Sequence, residues 1–318
     1  MTTPKYTIEY IDYAKFDLCD ALALALDTGM SLGDVNIMRE NGLRNIPISN
    51  KKDVSWLVDK ALIKAIHTEI LDTDKIKAIF ILHSLPGFCL PKSIFSTIAG
   101  LKKRFLNVPI VPISGQPCSI FHYGIQLALR LLEHSEINSQ IALVGIDIAP
   151  SHQSRFFFGS AMGDSLVTAV ISSTASGDTI LATHTDTHVI AVDGENSPQE
   201  NIQKFRNANP FYIREAIEKC LSIADIQLSD ITWIIPHTPY LKIKDIIGDT
   251  MKFSKENILT NYISETGHLN SNDSFIAYAR LCKENTISQN DICLLVNPGF
   301  GGTRGVTIIK REQCRRDS

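Results

Sequence analysis

The chain has 318 residues, with 31 Lys and Arg against 34 Asp and Glu, for a formal net charge of −3. So even a balance supplies no strong field for nucleic acid or an anionic membrane, and neither is expected as a partner. Hydrophobic residues make up 44% and charged residues 20%, as in a soluble globular protein, and the length exceeds what one simple core accommodates.

Strand-like and helix-like segments alternate. Residues 6–10 alternate in polarity like an edge strand, and residues 17–26 are apolar and helix-like. Residues 54–70 have helical apolar spacing behind Asp53 as N-cap. Residues 77–83 read as a buried strand and 91–105 as a helix. Residues 108–113 form an apolar, β-branched strand, and 114–117 a tight turn to Cys118. About four turns of apolar helix follow Cys118. Residues 141–146, 166–172 and 179–182 are further strands, and the polar stretch 193–209 reads as a surface loop. Helices are expected at 211–223, 240–251 and 272–282, and strands at 231–236, 291–296 and 306–310. Short doubly buried strands between helices indicate an α/β fold with a largely parallel sheet.

The seven cysteines are odd in number and scattered, with no CxxC pair and no zinc-ligand spacing. We therefore expect a reducing, cytoplasmic setting and no structural metal. The N-terminus lacks the apolar core of a signal peptide, and no apolar run approaches the roughly 18 residues of a membrane span.

Cys118 stands apart because a buried strand there hands over to a buried helix. Unpaired N–H groups at a helix start favour an anion, which suits a thiolate nucleophile and later an oxyanion. Three other features lie far downstream: His237 at a strand end, His268 just before a helix, and the Gly-rich turn Asn297–Gly305 between two strands. That turn lacks GxGxxG spacing and joins strand to strand, which disfavours a phosphate cradle.

Taken in order, GQPCSIFHYGIQLALRLL, IALVGIDIAPSH, FGSAMGDSLVTAVIS, IIPHTPYLKIKDII and DICLLVNPGFGGTRGVTIIK resemble the segments of the β-ketoacyl-ACP synthase III family of the thiolase superfamily. The resemblance covers essentially the whole chain. It implies a five-layered αβαβα thiolase fold made of two pseudo-repeated halves, 1–172 with Cys118 and 173–318 with the histidines and the Gly-rich turn. It also implies a dimer, as a homodimer or paired with another thiolase-fold chain, and no cofactor. The chemistry implied is transfer of an acyl group from acyl-CoA or an acyl-carrier protein to Cys118. Condensation with a malonyl-type thioester would follow, with His237 and His268 as catalytic partners and the N–H groups of Cys118 and Phe300, in the Gly299–Gly301 turn, as oxyanion hole.

Departures from the family pattern point to a specialised, secondary-metabolite pathway. His268 stands where the family has Asn, with Asn270, Asn272 and Asp273 close by as substitutes. Tyr240 replaces the Asn of Pro-His-Gln-Ala-Asn. Asn36 falls at or near a Trp that stacks on the CoA adenine. Arg39 and Arg44 are left as phosphate contacts, Lys242 matches a carrier-docking position, and Phe88, Leu90 and Pro91 fall where the acyl pocket is walled. A carrier-protein donor is therefore expected over free CoA. Two rivals accompany this reading. One is a non-decarboxylating acyltransferase with His237 as base for an alcohol, amine or thiol. The other is one subunit of a heterodimeric condensing enzyme.

Overall fold

The computed structural model describes residues 6–50, 53–84, 91–157, 159–174, 176–191, 193 and 196–312. The first half runs β1 (Thr7–Tyr13), β2 (Asp17–Asp20), α1 (Ala21–Asp27), α2 (Leu32–Glu40), β3 (Asn45–Ile48), α3 (Val54–His67), β4 (Ile76–Leu82) and α4 (Pro91–Lys102). It continues with β5 (Ile110–Ile113), α5 (Ile120–Glu133), β6 (Gln140–Asp147), β7 (Phe156–Phe157), β8 (Ser160–Ala161) and β9 (Ser165–Ser172). The second half runs β10 (Asp178–Thr187), α6 (Gln199–Ala224), β11 (Trp233–Pro236), α7 (Ile243–Met251), α8 (Ile263–Thr266), α9 (Asp273–Lys283), β12 (Ile292–Pro298) and β13 (Thr303–Lys310).

Three helix layers sandwich the strands, and side-chain alternation shows why. Along β4, Ala78, Phe80 and Leu82 face the central core, while Ile79 and Ile81 face an outer core under α3 and α4. Along β12, Cys293 and Leu295 face the central core, while Leu294 and Val296 face a second outer core under α6 and α7. With a side-chain period of two, a strand apolar at every position must be covered on both faces. The central layer holds α5 and α9, where Phe121, Ile125, Phe275 and Tyr278 are fully buried. This is the αβαβα arrangement of a thiolase fold, and both central helices begin beside the turns that carry Cys118 and His268.

Nine of the described strands join edge to edge in the order β11-β12-β13-β10-β1-β9-β6-β4-β5, while β2–β3 and β7–β8 form separate two-stranded sheets. The two halves meet at the antiparallel pair β1–β10, registered Thr7↔Thr179 and Ile8↔Asp178. The sheet is mixed, which corrects the expected largely parallel one. β4, β5 and β6 run parallel, as do β11 and β12. β6–β9 and β12–β13 are antiparallel, because their connections contain no crossover helix to restore the direction.

Three local expectations also change. β1 is an interior strand between β9 and β10 rather than an edge. Residues 17–26 divide into β2, paired with β3, and α1, capped by the Asp20 carboxylate. Much of 193–209 is helix, since α6 begins at Gln199 and continues through Pro210 to Ala224. Its early turns bury little beyond Ile202 and Phe205, so an exposed, Asn-rich helix imitates a loop in composition. Among the described residues, no helix is long and apolar enough to cross a membrane.

Candidate active site

Cys118 occupies the turn between β5 and α5, two residues ahead of the helix, with φ at +60°. A non-glycine residue in the left-handed region is strained and persists only where its surroundings over-determine it. Here the far end of the chain does so. Asn297 Nδ2 donates to the Cys118 carbonyl at 3.0 Å and to the Ser271 carbonyl at 3.1 Å. Thr303 Oγ1 donates to the Pro117 carbonyl at 2.5 Å. A Cβ on Gly299 would stand 2.2 Å from that same carbonyl oxygen, so the Gly-rich turn is glycine there because backbone meets backbone. The contact seats residues 299–300 against the cysteine turn, and the Cys118 N–H makes no hydrogen bond among the described residues. If Cys118 accepts an acyl group, as the resemblance leads us to expect, Gly299→Ala should slow that step by about 10²-fold, the scale of a 1 Å misplacement, while leaving far-UV circular dichroism unchanged. Wild-type rates would show that the turn tolerates displacement.

The structure brings His237 and His268 to this turn. His237 follows β11, and its N–H donates to Val296 O at 3.0 Å. His268 is pinned by its own N–H to Ala161 O at 2.9 Å and by Gly163 N–H to its carbonyl at 3.0 Å. Its Nε2 lies 3.6 Å from Cys118 Sγ. The two imidazole centroids are 5.0 Å apart and nearly perpendicular, at 85°. Behind His268, Asp273 Oδ2 faces Nδ1 at 3.0 Å. The carboxylate is held in turn by the Thr238 N–H at 2.8 Å and the Thr238 hydroxyl at 3.1 Å, so the residue after one histidine orients the partner of the other.

These neighbours divide the histidines electrostatically. Burial alone would lower His268, but its hydrogen bonds to Asp273 and Cys118 and the charges of those groups outweigh it and raise its pKa to about 10. His237 is held well below 6.5 by burial, and further by His268 and His122. Its Nδ1 has no hydrogen-bond partner among the described residues. His122, on α5, is fully buried and pushed down to about 3 by burial, against an opposing pull from Asn297.

A stability profile follows. His122 and His237 are neutral when folded, so below an unfolded pKa near 6.5 the unfolded chain takes up protons that the folded one refuses. Each then costs about 1.4 kcal/mol per pH unit as pH falls. His268 has the opposite sign. Its contribution is complete below about 6.5 and declines as pH rises toward 10. Urea midpoints should therefore peak near neutrality and fall on both sides. His122→Gln should flatten the acid limb, and an unchanged limb would contradict the assignment.

The other expected residues distribute around this centre. Arg39 is exposed on α2 and donates to Asn36 Oδ1 at 3.0 Å. Arg44 is exposed beyond that helix. Tyr240 is half-buried and packs against the outer core of the second half, while Lys242 is exposed at the start of α7. The Leu241 N–H donates to Asn41 O at 3.1 Å, which docks this loop on the end of α2. Arg39, Tyr240 and Lys242 thus belong to adjoining segments. Phe88 and Leu90 lie outside the described residues, as does the side chain of Pro91. Of the polar residues near His268, Asn272 is occupied with Ser165 Oγ at 2.9 Å, and Asp273 supports His268. The sequence marked the turn that holds Asn297 and Thr303 without assigning either side chain a role, and it gave no sign of Thr238. The one available signal was the polar Asn297 ending an apolar strand just before Pro298-Gly299.

Residues 221–311 match the family model described as 3-oxoacyl-[acyl-carrier-protein (ACP)] synthase III C terminal. The β-ketoacyl-[acyl-carrier-protein] synthase III of Clostridium tetani is 21% identical over 303 residues, covering 86% of this chain and 89% of that protein. The corresponding protein of Rickettsia prowazekii is 24% identical over 270 residues, covering 80% and 84%. Among solved structures, the acyltransferase ChlB3 superposes with a TM-score of 0.83 at 16% identity, covering 98% of each chain. The 3-oxoacyl-[acyl-carrier-protein] synthase III of Aquifex aeolicus gives a TM-score of 0.79 at 17% identity, covering 96% of this chain and 99% of that one.

Proposed function

Since the chain is a β-ketoacyl-ACP synthase III-like member of the thiolase superfamily, we propose that it carries an acyl group on Cys118 and condenses it with a malonyl-type thioester. The observation that carries this reading is the convergence of Cys118, His237 and His268, whose ligand-type atoms lie within 4.8 Å of one another.

In the first half-reaction the Cys118 sulfur attacks the donor thioester. The backbone N–H groups of Cys118 and Phe300 stabilise the oxyanion. The departing thiolate takes the proton from the His268 imidazolium and leaves as a thiol. His268, with Asp273 behind it, regains a proton from solvent. In the second half-reaction the malonyl thioester loses CO2. Its enolate oxygen accepts hydrogen bonds from the His268 imidazolium and from neutral His237, protonated on Nε2. The enolate carbon attacks the acyl carbon, the C–S bond to Cys118 breaks, and the thiolate is restored. One proton is consumed per turnover.

Asp273 favours a second reading. A carboxylate-backed imidazole beside a thioester also suits proton abstraction from an alcohol, amine or thiol acceptor. The base is then His268 in the neutral form left once the departing thiol has taken its proton, because His237 has no carboxylate partner. Pre-acylated protein distinguishes the two. Release of CO2 from a malonyl thioester in step with loss of the acyl group supports condensation. Loss of the acyl group to a simple acceptor without CO2 release supports transfer.

Arg39 and Arg44 serve donor phosphates, Lys242 docks a carrier protein, and Tyr240 shapes the acyl entrance. The halves 1–172 and 173–318 act together in a homodimer, with a heterodimeric pairing as the rival assembly and a secondary-metabolite pathway as the setting. Lys242→Glu should lower acylation from an acyl-carrier donor several-fold at low salt and spare acylation from acyl-CoA. An equal effect on both donors would remove Lys242 from carrier docking.

A further inference from the structure

We propose that Cys118, His237 and His268 form a Zn2+ site that blocks the Cys118 sulfur when occupied. Tetrahedral zinc, with sulfur at about 2.3 Å and nitrogen at about 2.0 Å, sets S···N near 3.5 Å and N···N near 3.3 Å. Cys118 Sγ and His268 Nε2 already stand 3.6 Å apart. The full set of three ligand atoms fits within 4.8 Å. Closing the widest pair to those separations therefore takes at most about 1.5 Å of side-chain movement. The His237 ring makes no side-chain hydrogen bond among the described residues, so no such bond holds it away from an ion.

A second observation concerns the outer partner. His268 Nδ1 faces Asp273 Oδ2 at 3.0 Å, and that carboxylate is itself fixed by Thr238. This is the carboxylate–histidine–metal arrangement, which fixes Nε2 as the ligand and orients the ring. One thiolate with two imidazoles is a donor set suited to zinc and unsuited to magnesium or calcium. Cys118 would bind as thiolate and His268 through its Nε2 lone pair, with the displaced protons passing to solvent. The fourth position is left for water. The three residues come from three separate turns, so no ligand spacing in the sequence announces them.

The inhibitory consequence rests on the reading of Cys118 as acyl carrier, whereas the metal site rests on geometry alone. The test uses the full chain after chelator treatment, with Zn2+ alone in calorimetry and Co2+ alone in absorption spectroscopy. One equivalent of Zn2+ should bind and slow iodoacetamide alkylation of Cys118 at least about 10-fold, with EDTA restoring the rate and Mg2+ giving no protection. Co2+ should show thiolate charge-transfer and tetrahedral bands that Cys118→Ser removes. Asp273→Asn should weaken Zn2+ binding by about 10–100-fold, and His237→Ala by at least as much. Zinc binding that persists unchanged in Cys118→Ser and His237→Ala overturns the site, as does absence of binding at micromolar zinc. Zinc binding without acylation would leave the site standing and defeat the functional reading. Acylation without zinc binding would do the reverse.

Discussion

Replacing His268 by alanine should slow acylation of Cys118 by about 10²–10⁴-fold, the range for losing a positioned proton-transfer group. His268 is the imidazole in contact with the sulfur, at 3.6 Å, and in the proposed mechanism its proton is the one that the leaving thiolate takes. Asp273→Asn provides a graded control. It keeps the shape but removes the charge that helps raise His268 to about 10, so the basic limb of the acylation profile should move to lower pH. A purely structural role for Asp273 would lower the rate without moving the limb. Wild-type acylation in His268→Ala would remove His268 from the mechanism.

Asp164→Ala should destabilise the fold by about 3–5 kcal/mol, the cost of leaving a buried charge unpaired. Asp164 meets Arg155 through two parallel bonds of 2.7 and 3.0 Å, and both side chains are almost wholly buried. The same carboxylate accepts from the N–H groups of Ser49 at 2.8 Å and Ala149 at 3.0 Å. It therefore ties the loop after β6, the end of β3 and the segment beside His268 into one unit. Met162 and Gly163, between the two charged residues, form the backbone bridge that seats His268. The urea midpoint should fall with the slope unchanged, and activity should fall further than the unfolded fraction explains. An unfolding free energy within about 0.5 kcal/mol of wild type, the range of an ordinary surface change, would show that the pair is dispensable.

The sequence makes parts of this legible for physical reasons. Apolar runs such as residues 77–83 and 291–296 must be strands covered on both faces, because alternate residues enter different cores. The Cys118 junction is visible because turn residues separate an apolar strand from an apolar helix. Composition fails where an element is mostly solvated, and α6 reads as a loop over its first turns for that reason. It also fails for chain direction, since the short links β6–β9 and β12–β13 reverse the strands that a helical crossover would have kept parallel. At the site, the histidines stand out as rare titratable residues at element ends. The role of Asp273 is hidden because a carboxylate at a helix start reads first as a cap. The clamp formed by Asn297, Thr303 and Gly299 is hidden because its partners lie 179 and 186 residues away in the chain for the two side-chain bonds.

The most direct test of the account is intact-protein mass spectrometry after brief exposure to an acyl-CoA or acyl-carrier donor, followed by peptide mapping. One acyl group per chain should appear, on the peptide containing Cys118. It should be absent from Cys118→Ala and discharged by a malonyl thioester with matching release of CO2. An acyl group retained by Cys118→Ala, or mapped to another cysteine, would contradict the central claim.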